Sequence, residues 1–280
     1  MTAPDGSQQP GLIITAAPNG ARKVKSDHTA IPITLEEIVA EAKAVQAAGA
    51  AILHLHVRDE HEAHSLDVDT YRRTIDAIRD ALGDGLIIQA TTEAVGRYTV
   101  DEQVDLVHRL KPEGASLAFR ELTRDGNGKL ADLMRFAADE GIFLQHILYD
   151  PSDIERFAAM LAEQPDADRF RPLNVLYVLG RYTGGVSAPP DLLPYLAAAE
   201  ETGLSPEHWC MCAFGAKEGA IAIMAATLGG HVRVGFENNL LLADGGTAPS
   251  NAALIDQVVR GAELIARPVL SAVEAREFLT

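Results

Sequence analysis

Short apolar runs alternate with amphipathic segments from one end of this chain to the other, and that alternation constrains the fold more than any other feature. Gly11 to Ala16 reads as a first strand. Thr34, with Glu37 three residues on, caps a helix whose apolar stripe is Ile38, Ala42 and Val45. A strand from Ala51 and a helix over Asp67 to Leu82 come next. Strands are then expected over Leu86 to Ala90, Ala115 to Phe119, Ile142 to Tyr149, Leu173 to Leu179, His208 to Phe214 and His231 to Phe236. The helices between and after them are Val100 to Leu110, Leu130 to Glu140, Pro151 to Leu161, Pro190 to Glu201, Lys217 to Leu228 and Ser250 to Ala266. A short amphipathic tail, Ser271 to Leu279, ends the chain. Eight strand-then-helix units in 280 residues predict a closed parallel (β/α)8 TIM barrel with a short C-terminal helix. A doubly wound open sheet is the alternative. No Pro/Ser-rich linker or composition break divides the chain, so residues 11–280 are expected to form one catalytic domain after a disordered arm over 1–10.

The second strand, Ala51-Ile52-Leu53-His54-Leu55-His56-Val57-Arg58-Asp59, carries two histidines two positions apart. On a strand such residues point to one side, about 7 Å apart. Buried imidazoles need a hydrogen-bonding or metal partner, so His54 and His56 read as two ligands of one metal. The alternative is one satisfied core histidine and one surface histidine near the strand end. A barrel enzyme works at the C-terminal ends of its strands, and the eighth strand ends Arg233-Val234-Gly235-Phe236-Glu237-Asn238. In a closed barrel, strand eight adjoins strand one, which adjoins strand two. Glu237 is therefore within reach of the same metal. Two histidines and a glutamate leave zinc an open position, the mark of a catalytic site. Arg233 suits a substrate carboxylate. Alone, Glu237 reads equally as a solvated loop acid and Arg233 as half of a structural ion pair.

A formal charge of -16 argues against nucleic acid or an anionic membrane as partner. No apolar run approaches the roughly 18 residues of a membrane span, and Met1 to Pro10 lacks a signal-peptide pattern. Cys210 and Cys212 share one strand two positions apart, poorly placed to bridge each other, which fits free thiols in a reducing cytoplasm.

Ile14-Thr15-Ala16-Ala17, Asn19-Gly20-Ala21, His54-Leu55-His56-Val57-Arg58-Asp59 and Gly229-Gly230-His231-Val232-Arg233-Val234-Gly235-Phe236-Glu237 together resemble the β-keto acid cleavage enzymes. The likeness runs from Gly11 to the tail. It implies a zinc-dependent barrel, usually a homotetramer, that joins a β-keto acid and acetyl-CoA to give acetoacetate and a new CoA thioester. It also implies that His54, His56 and Glu237 hold the zinc, that Arg233 sits in the catalytic centre, and that CoA lies in loops at the barrel mouth.

The chain departs from that family at four loops. An aspartate, the family's proposed general base, usually follows the metal glutamate; here it is Asn238, whose amide cannot take a proton at neutral pH. The first loop usually carries a glutamate where this chain has Arg22. A small Ser-Thr-Gly-type turn is replaced by Thr91-Thr92-Glu93, and a small Asn-Ala-Gly-Thr stretch by Ala118-Phe119-Arg120-Glu121. Thr91, Thr92 and Asn238 are therefore candidate substrate contacts. Glu93 and Glu121 are candidate replacement bases, or alternatively ion-pair partners of Arg22 or Arg120. Among lesser candidates, His146 reads as a satisfied core histidine in preference to a substrate contact. His61 and His64 are expected to be solvated, and Asp59 to orient a ligand histidine. Arg181-Tyr182-Thr183-Gly184-Gly185 forms a glycine-bearing loop suited to a carboxylate or to CoA phosphates.

Overall fold

The strands of the computed structural model, which describes residues 10–180 and 187–279, follow the expected alternation. They are β1 (Ile14–Ala16), β2 (Ile52–Leu55), β3 (Val57–Arg58), β4 (His64–Ser65), β5 (Ile87–Thr91), β6 (Gly114–Ala118), β7 (Phe143–Leu148), β8 (Asn174–Leu179), β9 (His208–Ala213) and β10 (His231–Val234). Eight of them close into a parallel barrel in the order β1-β10-β9-β8-β7-β6-β5-β2, while β3 and β4 form a separate antiparallel hairpin. Closure is made by β10 on β1, with Thr15 opposite Arg233, and by β1 on β2, with Ala16 opposite Leu53. The doubly wound alternative is thereby excluded. Residues 1–9 of the expected arm, and the loop Arg181-Tyr182-Thr183-Gly184-Gly185, lie outside the described residues. Among the described residues no helix is long and apolar enough to cross a membrane.

The helices are α1 (Leu35–Ala47), α2 (Val68–Leu82), α3 (Val100–Leu110), α4 (Phe119–Leu122), α5 (Gly128–Glu140), α6 (Pro151–Ala162), α7 (Leu193–Thr202), α8 (Glu218–Thr227), α9 (Asn251–Leu264) and α10 (Ala272–Leu279). Local chemistry sets their starts. Thr34 and Glu37 form a reciprocal capping box for α1, as do Thr99 and Glu102 for α3. Asp150 caps α6 with Pro151 behind it.

Three elements differ from expectation. The helix expected from Pro190 begins as a 3-10 turn over Pro189–Leu192 and becomes α-helical only at Leu193, because Pro194 has no N–H to extend a ladder back to Pro190. Strand β6, expected to run to Phe119, stops at Ala118, and Phe119 opens the one-turn α4, where its buried ring meets Phe157 at 5.5 Å. The stretch expected as one strand to Asp59 leaves the barrel after Leu55. Arg58 is held by the carbonyl oxygens of Gly20 at 2.5 Å and Lys23 at 3.0 Å, which draws β3 toward the first loop.

The main core lies between strands and helices, built from the outward side of each strand, such as Leu53, Leu55, Ile88 and Leu117. The tail helix closes the opposite end from the site. Ala272, Ala275 and Leu279 of α10 pack on Ile13, Ile52, Ile87 and Phe143 beneath the barrel. Arg276 locks it there, donating to Glu113 Oε1 at 2.5 Å and to the carbonyl oxygen of Asp84 at 2.7 Å.

Arg267 ties the chain's two ends together. Its buried guanidinium donates to the carbonyl oxygens of Ala226 (2.8 Å), Gly230 (2.6 Å), Pro10 (2.9 Å), Gly11 (3.3 Å) and Gly229 (3.3 Å). Arg267→Met removes these charge-assisted bonds and strands buried carbonyls. It is expected to cost at least about 3 kcal/mol in urea unfolding; a smaller loss would mean that water replaces the guanidinium.

Candidate active site

The C-terminal ends of the strands surround a cavity of about 310 Å³. Its wall includes Arg22, His54, Thr91, Glu93, Ser116 and Glu121, with Arg233 and Glu237 at its floor. Inward-facing alternate positions place the first polar groups. His54 on β2 pairs in register with Gln89 on β5, and both side chains point into the barrel. His56 follows at the exit of β2. Glu237 arrives from the turn after β10, which two glycines bring close. A Cβ at Gly235 (φ +145°) would stand 2.3 Å from the Ala17 carbonyl oxygen, and one at Gly20 (φ +62°) would stand 2.5 Å from Glu237 Cγ. Glu237 N donates to that same Ala17 oxygen at 3.0 Å.

These turns gather three buried donors at one point. One ligand atom from each of His54, His56 and Glu237 lies within 4.8 Å of the others. His54 Nε2 and His56 Nε2 are 3.0 Å apart, and Glu237 Oε2 is 3.4 and 3.3 Å from them. Burial pushes the His54 imidazole down to about 4 and the His56 imidazole to about 3, so both are neutral at pH 7. Burial alone would raise the Glu237 carboxyl; Arg233, whose Nη2 is 3.1 Å from Glu237 Oε1, together with the His54 and His56 rings outweighs it and holds the group ionised. Two neutral imidazoles and one carboxylate are the donor set of a divalent cation with an open position. The tautomer of His54 fits too. Gln89 donates to Gln145 Oε1 at 3.2 Å, which turns Gln89 Oε1 toward His54 Nδ1 at 2.8 Å. His54 therefore carries its proton on Nδ1 and shows the cavity a bare Nε2.

Arg233 is shared. Its Nη2 also faces Asn238 Oδ1 at 3.2 Å and Cys212 Sγ at 3.4 Å. Asn238 and Thr92, expected as substrate contacts, lie behind the cavity wall; Thr92 donates to the Ser116 carbonyl oxygen at 3.0 Å. Thr91 and Glu93 face the cavity. Glu121 lines it as well, but its Oε2 is engaged by Ala94 N at 2.8 Å and Gln103 Nε2 at 2.9 Å. The alternative pairing of the glutamates with Arg120 does not form, because Arg120 binds Asp150 and Asp153 on the other side. Burial, then the neighbouring Glu237 and Glu121 carboxylates, push Glu93 up to about 8.

Several minor expectations are corrected. His64 is buried, not solvated: its Nδ1 lies 3.4 Å from His56 Nδ1 and its Nε2 2.9 Å from the Glu93 carbonyl oxygen. His61 is exposed as expected. Asp59 orients no histidine ring; its Oδ1 accepts from the backbone of His61 and Ala63, closing the β3–β4 turn. His146 points out of the barrel onto Phe157, a core histidine whose Nδ1 has no partner among the described residues. Cys210 and Cys212 are buried free thiols. Sequence reading missed Gln89 and Ser116, both signalled by polar residues at inward positions of otherwise apolar strands.

A closed (β/α)8 barrel with a charged cavity at its strand ends defines an enzyme of the barrel class. Residues 11–280 match the family model of the β-keto acid cleavage enzymes, and the chain belongs to that family. A 3-keto-5-aminohexanoate cleavage enzyme of Acetoanaerobium sticklandii is 35% identical over 275 residues, which cover 96% of this chain and 97% of the relative. A 3-oxoadipate:acetyl-CoA acetyltransferase of Cupriavidus necator is 29% identical over 272 residues, 95% of this chain and 94% of the relative. Among solved structures, a ternary complex of ObcA with a C4-CoA adduct and oxalate has a TM-score of 0.73 at 16% identity. It covers 89% of this chain and 67% of that one, and shares its fold.

Two outcomes follow for the isolated protein. His54→Ala is expected to abolish any stoichiometric binding of a divalent cation at this cluster, measured by equilibrium dialysis; full retention would remove His54 from the site. A carboxyl whose folded-state pKa is raised binds its proton more tightly folded than unfolded. Ionising Glu93 therefore costs stability as pH climbs from its ordinary 4.5 to about 8. Glu93→Gln should thus unfold at a higher temperature than the metal-free parent at about pH 9 and converge with it near pH 5. An equal gap at both pH values would contradict the shift.

Proposed function

We propose that this protein is a zinc-dependent enzyme that cleaves a β-keto acid against acetyl-CoA. The observation that carries this reading is the meeting of His54, His56 and Glu237 beside Arg233 on the cavity floor, in a chain of this family. The reaction balances: the acyl part R–CO of R–CO–CH2–COO⁻ passes to CoA, and the acetyl group joins the CH2–COO⁻ fragment as acetoacetate. A divalent ion held by His54, His56 and Glu237 would supply Lewis acidity toward the oxygens of the keto acid. Arg233 holds the substrate carboxylate by charge-assisted hydrogen bonds. Thr91 borders the reacting carbons from β5, and acetyl-CoA enters over the loops at the barrel mouth.

The proton on the α-carbon needs an acceptor, and Asn238 is an amide. Glu93 supports that role better than Glu121, because its carboxylate accepts no hydrogen bond among the described residues, whereas Glu121 Oε2 is committed to Ala94 and Gln103. A cation on the floor would draw the Glu93 ionisation back toward neutral pH. A homotetramer in the cytoplasm completes the proposal, supported by the family resemblance and the free thiols. Asn238 favours a second reading, a metal-dependent aldolase or lyase that acts on a keto acid without CoA.

A screen of β-keto acids with acetyl-CoA, read by mass for new CoA thioesters, tests both. Product that appears without acetyl-CoA favours the lyase. No turnover of any β-keto acid by the zinc-loaded protein would leave a keto-acid-binding protein. Glu93→Gln is expected to lower kcat by about 10²–10⁴-fold with little change in KM. Asn238→Asp should bring no gain; a clear rise in kcat would return the base to position 238.

A further inference from the structure

His64 stands outside the three-donor cluster but touches both of its neighbours. It lies on β4, opposite Arg58, and the β3–β4 hairpin carries its ring against His56 with centroids 5.1 Å apart. Its two nitrogens face different partners. Nε2 is 2.9 Å from the Glu93 carbonyl oxygen, which can only accept, so Nε2 carries the hydrogen. A neutral imidazole has one hydrogen, so His64 Nδ1 is a bare acceptor. Facing it at 3.4 Å is His56 Nδ1. Two bare nitrogens would repel there, and two N–H groups would collide. Giving the hydrogen between the rings to His56 resolves this and leaves its Nε2 bare, 3.0 Å from the bare Nε2 of His54 and 3.3 Å from Glu237 Oε2, an arrangement that a cation shared by the three would satisfy. Moving the His64 hydrogen to Nδ1 would set the bare Nε2 against a carbonyl oxygen at 2.9 Å.

We infer that His64 is a positioning residue: it fixes the tautomer in which His56 presents Nε2 to the cation site, and it ties that imidazole to the backbone of Glu93. The inference rests on the metal-centre reading, because without a shared cation the His54 and His56 Nε2 atoms, 3.0 Å apart, would not both be bare. Gln89 does the same for His54, so each ligand imidazole has its own second partner on a different element. The His64 contact has a further consequence. The loop after β5 is gripped on one side by His64 at the Glu93 carbonyl and on the other by Glu121 at Ala94 N. The distance between the cation site and the Glu93 carboxyl is thus set through the His64 ring.

The test uses the full chain and two variants. His64→Phe keeps a ring and removes both nitrogens; His64→Gln keeps one acceptor and one donor. Zinc affinity is read by competition with a chromophoric chelator, and the His56 tautomer by nitrogen-15 resonances of the zinc-loaded protein. In the parent, His56 is expected to be protonated on Nδ1. His64→Phe should weaken zinc binding by about 10–100-fold and mix the His56 tautomers, and His64→Gln should recover most of both. A parent His56 protonated on Nε2 overturns the inference, whether or not either variant folds. Unchanged affinity and tautomer in His64→Phe overturns it too, as does equal damage in both variants, which would mean packing alone. A parent that binds no zinc sinks the metal-centre reading and this inference with it, whereas any of the earlier results in a parent that does bind zinc overturns the inference alone.

Discussion

Pairing β10 to β1 and β1 to β2 is the constraint on which the rest of the structure depends. Without that closure the imidazoles at the end of β2 and the carboxylate after β10 belong to opposite edges of a sheet. With it, Thr15 stands between Leu53's strand and Arg233, and the exits of three strands share one rim. Backbone approach then finishes what closure begins. Gly235 and Gly20 remove the two Cβ atoms that would otherwise hold the Glu237 turn away from the first loop. At the other end of the barrel, α10 lays its apolar side chains against the strand starts.

Electrostatics at that mouth is a balance of few groups in a poorly solvated place. Burial keeps both imidazoles neutral, and Arg233 keeps Glu237 ionised, so the cluster presents electron pairs rather than protons. The same burial works against Glu93, which forms no ion pair among the described residues and sits near two other carboxylates. Coordination chemistry on the floor and acid–base chemistry on the wall are therefore linked by charge. Behind the floor, Glu218 is a fully buried carboxyl that burial pushes up to about 8, while it accepts from Gly235 N and Asn239 Nδ2. That contact braces the turn carrying Glu237 from the side of α8.

Legibility in the sequence tracked the range of the interaction. Element types, most helix boundaries, the histidine pair and the partnership of Glu237 with it were readable, because strand parity and barrel order are repetitive and local. The role of His64 was not, since a polar loop histidine looks solvated until the hairpin folds it onto His56. Arg120 and Glu121 show the same limit: adjacent in sequence, they turn to different partners, Asp150 and Asp153 for one and Ala94 and Gln103 for the other.

By itself the sequence determined a (β/α)8 barrel of the β-keto acid cleavage kind with a His54, His56 and Glu237 cluster, because hydrophobic period and motif order survive without coordinates. Tertiary structure alone decided which polar side chains face the cavity, which are spent on backbone, and which imidazole nitrogen is bare. Those outcomes hang on hydrogen-bond distances between residues far apart along the chain, and an ångström there changes a donor into a bystander.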